Sequence, residues 1–387
     1  MSTPNNSKVY FPSLNGIRAI AAMMVFIFHI EYLKKSFNAS NFFNTPFIQK
    51  SGDLGVTLFF VLSGFLITFL LLKEKEATKT ISIKQFYFRR ILRIWPLYFL
   101  ILILTLFFEI QLNSENFNYN FFPTKLALYT TFFANIAYIL YSAGGFPSQL
   151  WSVSSEEQFY AIWPHLIKYN LIRSPWFLLS IALLYAIIRF TLVKLNNVLS
   201  LEIFSGIDLI SFSWKFMERF RIDCMAIGGT GAILYFNNLH HKNLFKIIYQ
   251  KSIQLVVYSI LVFLLIVPTS FLGLFEDFVF SFLFLFLIIN ISTNKKSLFN
   301  LEYPLFNFLG TISYGIYIYQ FLVFKSLEYL AIKLSVINDK WFPTVYAIFS
   351  LVLTVLIAYL SYQYYEKPFL HVKEKFAKVV SGNKAKY

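Results

Sequence analysis

Residues 14–33 read LNGIRAIAAMMVFIFHIEYL, an apolar run carrying one arginine and one histidine. A helix needs about 20 mostly apolar residues to cross a bilayer, and this run has that length. Ten further stretches come near it: 54–72, 91–110, 126–142, 151–170, 176–195, 218–236, 252–274, 276–292, 303–327 and 342–365. Short connections join them, so one domain is expected. The reading is an all-α, polytopic transmembrane helix bundle over residues 14–370, between an N-terminal segment 1–13 and a basic tail 371–387. Composition agrees. The 387 residues are 57% hydrophobic and 14% charged, against about 45–50% and about 25% in soluble domains. A disordered chain is excluded by the same numbers. The net charge of +15 is read as basic cytoplasmic loops, not as a nucleic-acid surface. The single cysteine, Cys224, excludes an internal disulfide and a cysteine-based zinc cluster, and no metal site is expected. Residues 1–10 are polar, and the first apolar run ends without a small-residue cleavage site, so a retained helix is expected in place of a signal peptide.

Lysines and arginines set the orientation. The densest internal cluster is Lys73, Lys75, Lys79, Lys84, Arg89, Arg90 and Arg93. Placing it in the cytoplasm puts the N-terminus there too. The tail, with Lys367, Lys373, Lys375, Lys378, Lys384 and Lys386, is expected on the same side. Two inside ends require an even number of crossings, so eleven stretches reduce to about ten, with eleven as the alternative. The weakest is 126–142, diluted by Tyr129, Thr130, Thr131 and Asn135. Without it, Lys168, Arg173, Lys242, Lys246, Lys251, Lys295 and Lys296 all fall inside. Lys194, Lys215, Arg219 and Arg221 stand against this scheme, near an outside loop. The chain is expected to be multi-pass in a cell membrane, among membrane lipid, with both termini cytoplasmic.

Ionisable residues within spanning segments are costly and mark function by default. Arg18 and His29 bracket Ala19–Phe28, a run without a polar side chain. At about 100° per residue they share one helix face, with a rise of ~16 Å between them. His29 is the one histidine deep in an apolar run; His165 is near a segment end, His240 and His241 in a loop, His371 in the tail. The plain alternative is a snorkelling arginine and a structural histidine. Arg89, Arg90 and Arg93 precede Trp95-Pro96. They are ordinary membrane anchors or a cytoplasmic anion site, since arginine forks suit phosphates. Glu156 and Glu157 fall in Trp151–Tyr160, at the outer end of their segment. Ser154 and Glu157 have capping-box spacing, which leaves Glu156 unexplained. Arg221 and Asp223 precede the small-residue run Ala226–Gly231, read as close helix packing. Glu366 is read as an interfacial charge.

Six pieces of sequence stand in a known order. Leu14-Asn15-Gly16-Ile17-Arg18-Ala19 with His29 is similar to the opening helix of the acyltransferase family 3 of integral-membrane O-acyltransferases. Gly55-Val56-Thr57-Leu58-Phe59-Phe60-Val61-Leu62-Ser63-Gly64-Phe65 resembles its second signature. Arg89–Pro96, Trp151–Tyr160, Ile312–Tyr317, and Tyr362 with Glu366-Lys367-Pro368-Phe369 resemble the rest. The resemblance covers nearly the whole chain. Asn15 and Thr57 stand where the family often has acids, and Gln320 where many members have histidine. Only a basic tail follows Phe369, so the stand-alone form without a C-terminal SGNH-type domain is expected.

The resemblance implies acyl transfer, usually acetyl, from a cytoplasmic donor to a hydroxyl. No bound cofactor is implied; acetyl-CoA or another acyl-CoA is the donor substrate. The acceptor is a glycan or lipid-linked sugar of the cell envelope. In that frame Arg18, Arg89, Arg90 and Arg93 hold donor phosphates, and His29 takes the proton of the attacking hydroxyl, with Glu156 or Glu157 as the next candidates for that role. Direct transfer and a histidine-acylated intermediate are both open. The rival classes are a polytopic lipid or glycan flippase without acyl-transfer chemistry, and a regulatory or anchoring membrane protein. A flippase would favour broken helices at matching places in two related halves, and none is seen in the sequence.

Overall fold

The computed structural model describes residues 7–112, 119–141, 145–172, 174–199, 202–203, 207–237, 243–337, 341–376 and 379–381. Arg173, His240, His241, Lys242, Lys378, Lys384 and Lys386 lie outside them.

The chain folds as an all-α bundle. Helix α1 (Leu14–Ser36) runs into α2 (Pro46–Thr78) and α3 (Ile83–Leu112). Short α4 (Phe122–Thr130) and α5 (Ala134–Leu140) precede α6 (Leu150–Lys168) and α7 (Pro175–Asn196). Then come α8 (Leu209–Phe220), α9 (Ile222–Phe236), α10 (Asn243–Ile248), α11 (Lys251–Ile266) and α12 (Glu276–Thr293). The chain closes with α13 (Pro304–Thr311), α14 (Ser313–Lys333), α15 (Phe342–Ser361), a π turn at Tyr362–Glu366, and α16 (Lys367–Glu374).

Among the described residues, six helical stretches are long and apolar enough to cross a membrane: α1, α2, α3, α7, the stretch Gly273–Thr293 and the stretch Phe342–Glu374. Helices α6 and α14 have 19 and 21 residues, but polar side chains dilute them. Ser152, Ser154, Ser155, Ser313 and Gln320 among them are buried in the bundle, where polar groups inside a membrane protein are tolerated. The stretch 126–142 breaks at Phe132, whose φ is 60°, into helices of 9 and 7 residues, each too short to span. The stretch 218–236 breaks at Arg221, φ 48°, and 303–327 breaks at Ile312, between α13 and α14.

Close packing centres on α2, which is crossed by α9. A Cβ on Gly64 would fall on the Met225 backbone, and one on Gly228 would fall on the Val61 carbonyl. The two glycines are reciprocal notches that bring the backbones together, as small residues do between membrane helices. The run Ala226–Gly231 is therefore packing. Strand β1 (Ser7–Val9) pairs in parallel with Val379–Ser381, a short pairing that periodicity did not announce. It ties both ends of the chain to one side of the bundle. Lys75 caps the Ile167 and Lys168 carbonyls at 2.6 and 2.8 Å, so the end of α2 and the end of α6 share a level.

Of the charges that opposed the orientation, two are internal partners. Arg221 is 2% exposed and pairs with Asp53 at 3.2 Å and Asp277 at 3.4 Å. Arg219 pairs with Asp53 at 3.6 Å. Charges neutralised within the fold carry little topological signal.

Candidate active site

Five helices meet at one cavity. Helix α1 contributes Arg18, α2 Ser63, α3 Arg90 and Arg93, α6 Glu156 and Tyr160, and α14 Tyr314 and Tyr317. Helical spacing explains the selection. Arg90 and Arg93, three apart, share a face, as do Glu156 and Tyr160, four apart. Arg89 lies about 100° around α3 from Arg90, and it turns away. It pairs with Glu74 and donates to the Phe376 carbonyl, both at 2.8 Å. The structure thus brings Arg18, Arg90 and Arg93 together and leaves Arg89 as a link to the C-terminal segment.

The three arginines form no direct ion pair among the described residues, although Glu156 shares their cavity and Glu366 lines the next one with Arg93. Arg18 donates to Asn15 Oδ1 at 2.9 Å. Arg90 lies over the Tyr160 and Phe86 rings, 5.2 and 5.6 Å from their centroids, and its Nε is buried without a partner. The carboxylate in the same cavity, Glu156, accepts from both Ser63 and Tyr160. Buried cations normally find a counter-charge. Arg18, Arg90 and Arg93 are half-buried and converge on a cavity that holds one carboxylate, Glu156; guanidinium forks in such numbers suit an anion.

Glu156 and Glu157 correct the sequence reading twice. The start of α6 is Leu150, with Gln149 before it, so Ser154 and Glu157 form no capping box. The two glutamates lie mid-helix, not at an outer end. Glu157 accepts from Trp95 Nε1 at 3.0 Å and does not line the cavity. The polar faces of the helices are packed inward, which length and hydropathy do not reveal.

A second cavity adjoins the first and shares Arg18, Leu66, Arg93 and Tyr314 with it. It adds Tyr10, Glu302, Glu366, Lys367, His371 and Lys373, and lies at the end where both termini pair. Glu366 is therefore a cavity residue, not a plain interfacial charge. Tyr10 donates to Glu302 at 2.5 Å; burial and this bond push its phenol pKa up. Lys373 was read only as a tail charge; no spacing rule ties α16 to α1 and α3.

His29 lines a third cavity with Asp53, Gln149, Trp151 and Arg219. This cavity and the first share Val56 and Tyr317 as walls. Arg18 and His29 thus face neighbouring cavities at two depths. His29 Nδ1 lies 2.8 Å from the Val25 carbonyl. A carbonyl only accepts, which assigns the proton to Nδ1 and leaves the Nε2 lone pair free. The imidazole packs edge-on against Phe321 and Phe28, at 4.5 and 5.1 Å between centroids. Thr57, where an acid is common, accepts from Arg221 at 2.7 Å. Asp53 and Asp277 supply the negative charge there. Gln320 is fully buried and bonds the Tyr317 carbonyl at 2.9 Å. Ser63, Tyr160, Tyr314, Tyr317 and Gln149 had no role in the sequence reading. Their signal was a polar group inside an otherwise apolar or aromatic run.

Residues 11–363 match the family model described as an acyltransferase domain. The chain is 26% identical over 390 residues to the peptidoglycan O-acetyltransferase OatA of Listeria monocytogenes, covering 95% of this chain and 57% of that protein. It is 26% identical over 381 residues to a putative O-acetyltransferase of Staphylococcus aureus strain COL, covering 93% and 57%. It is 26% identical over 379 residues to the O-acetyltransferase OatA of S. aureus strain NCTC 8325, again covering 93% and 57%. The chain thus spans a little over half the length of these curated relatives. No solved structure matches.

Proposed function

The chain belongs to the acyltransferase 3 family, and from that premise we propose that it is a multi-pass membrane O-acetyltransferase of the cell envelope. It moves an acetyl group from cytoplasmic acetyl-CoA to a glycan hydroxyl, with both chain ends in the cytoplasm. The observation that carries this reading is the cluster Arg18, Arg90 and Arg93, half-buried and without a direct ion pair among the described residues, beside the cavity of His29. A polyanionic donor with a long, thin acyl-bearing arm suits that arrangement. Its phosphates would meet Arg18, Arg93 and Lys373 at the mouth, and its thioester would reach toward Val56 and Tyr317.

His29 Nε2 then takes the proton of the acceptor hydroxyl. The hydroxyl oxygen attacks the thioester carbonyl carbon, and the carbon–sulfur bond breaks. The departing thiolate leaves as the free thiol, carrying the proton His29 had taken. The names of the relatives support a peptidoglycan or related glycan as acceptor. The test is to incubate the purified protein with acetyl-labelled acetyl-CoA and cell-wall glycan. Ester-linked label in the glycan is expected. Glycan or lipid translocation without label transfer would favour a flippase.

A further inference from the structure

The donor reading leaves the walls of the His29 cavity unused. Gln149 is 3% exposed and lines it. Its amide Nε2 donates to the Ile318 carbonyl at 3.0 Å, which assigns nitrogen and oxygen. The other atom, Oε1, is buried and has no partner. A buried acceptor without a donor is costly and calls for an explanation. His29 presents a second free acceptor, Nε2, in the same cavity. A ligand that meets both must bring hydrogen-bond donors.

The charges on the walls cancel. Asp53 and Arg219 pair at 3.6 Å, and the Arg219 guanidinium lies 4.9 Å from the Trp151 ring and 5.0 Å from the Tyr138 ring. His29 in its neutral form, the form a general base needs, adds no charge. This is the opposite of the neighbouring cavity, where three arginines face the single carboxylate of Glu156. Aromatic faces beside a few fixed polar groups are what small-molecule sites present, and Trp151, Tyr138, His29 and Gln149 supply both here.

We propose that this cavity is the acceptor site, and that it takes an uncharged sugar: one hydroxyl donates to His29 Nε2, another to Gln149 Oε1, and the ring lies against Trp151 and Tyr138. The proposal rests on the acyl-transfer reading. It makes Gln149 a specificity residue and places the acceptor on the far side of Val56 and Tyr317 from the arginines.

Occupancy can be read without turnover. The single native cysteine, Cys224, is fully buried, so Ser148→Cys introduces a reporter thiol on the cavity wall. The purified full chain carrying it is labelled with a small methanethiosulfonate reagent, with and without chitotetraose, an uncharged N-acetylglucosamine tetramer. At about four times the dissociation constant, labelling should slow about fivefold. Adding Gln149→Leu should raise the concentration needed about tenfold. Tyr138→Ala removes a ring that is 39% exposed; it should also weaken protection, and it serves if the Gln149 variant does not fold. A tetramer of galacturonic acid should protect poorly. Unchanged labelling with chitotetraose overturns the acceptor site, and equal protection by the acidic tetramer overturns its uncharged character. Protection without acetyl transfer would instead sink the acyl-transfer reading and leave the sugar site standing.

Discussion

Replacing His29 by glutamine removes the one imidazole in the third cavity and little else. The side chain makes a single hydrogen bond, from Nδ1 to the Val25 carbonyl at 2.8 Å, and a glutamine amide keeps a donor for it. Glutamine cannot accept a proton at neutral pH. Loss of a general base costs about 10²–10⁴-fold in rate, equivalent to about 3–5 kcal/mol of barrier. Folding should suffer far less, because the hydrogen bond is worth only about 1 kcal/mol and the Phe28 and Phe321 contacts are lost only in part. Donor KM should not move, since Arg18, Arg90 and Arg93 line a different cavity. The assay is single-turnover transfer from labelled acetyl-CoA to glycan, with wild type and variant at equal amounts of monodisperse protein. Transfer at more than about a tenth of the wild-type rate would refute the base assignment. A parallel rise in donor KM would show that the substitution acts by distorting the arginine cavity.

The adjacent arginines should separate. Arg93→Ala should raise donor KM about 10–100-fold, the value of a charge-assisted phosphate contact, with Arg93→Lys recovering part; Arg89→Ala should leave donor KM alone. Breaking the buried Arg89–Glu74 pair should instead cost about 3 kcal/mol of stability, read as a lowered melting temperature of detergent-solubilised protein; a donor effect as large as that of Arg93 would contradict the geometry. Gly228→Leu should abolish accumulation of folded protein, because its side chain would enter the Val61 backbone; normal expression and melting would count against α2–α9 as the central contact. Reporter tags at Asn5 and Lys384 should lie on one side of the membrane, as the pairing of Ser7–Val9 with Val379–Ser381 requires; opposite sides would break the even-crossing scheme.

The spanning character of the chain was legible because it is local. Apolar length alone marks 14–33 or 342–365, and dilution by Tyr129, Thr130, Thr131 and Asn135 marks the stretch that splits into α4 and α5. Arg18 and His29 were also legible, since an ionisable group inside an apolar run stands out wherever it packs. The arginine triplet was legible only as a triplet. Its members differ by their angle around α3, and the partners that sort them, Glu74 and Phe376 for Arg89, are 15 and 287 positions away.

By itself, then, the sequence determined the solvent this protein folds in, the helical class and the polar residues that had to be explained. Burying a charge in lipid is costly at any position, so those residues announce themselves without knowledge of the fold. Only the tertiary structure decided how they are used. It set Glu156 against Ser63 and Tyr160, gave Arg221 the carboxylates of Asp53 and Asp277, and left Gln149 Oε1 unpartnered beside His29. Which cation is neutralised and which stays free depends on groups brought from α2, α6, α12 and α14. Their distances are fixed by helix rotation and by contacts such as Gly64 on Met225, and no local pattern records either.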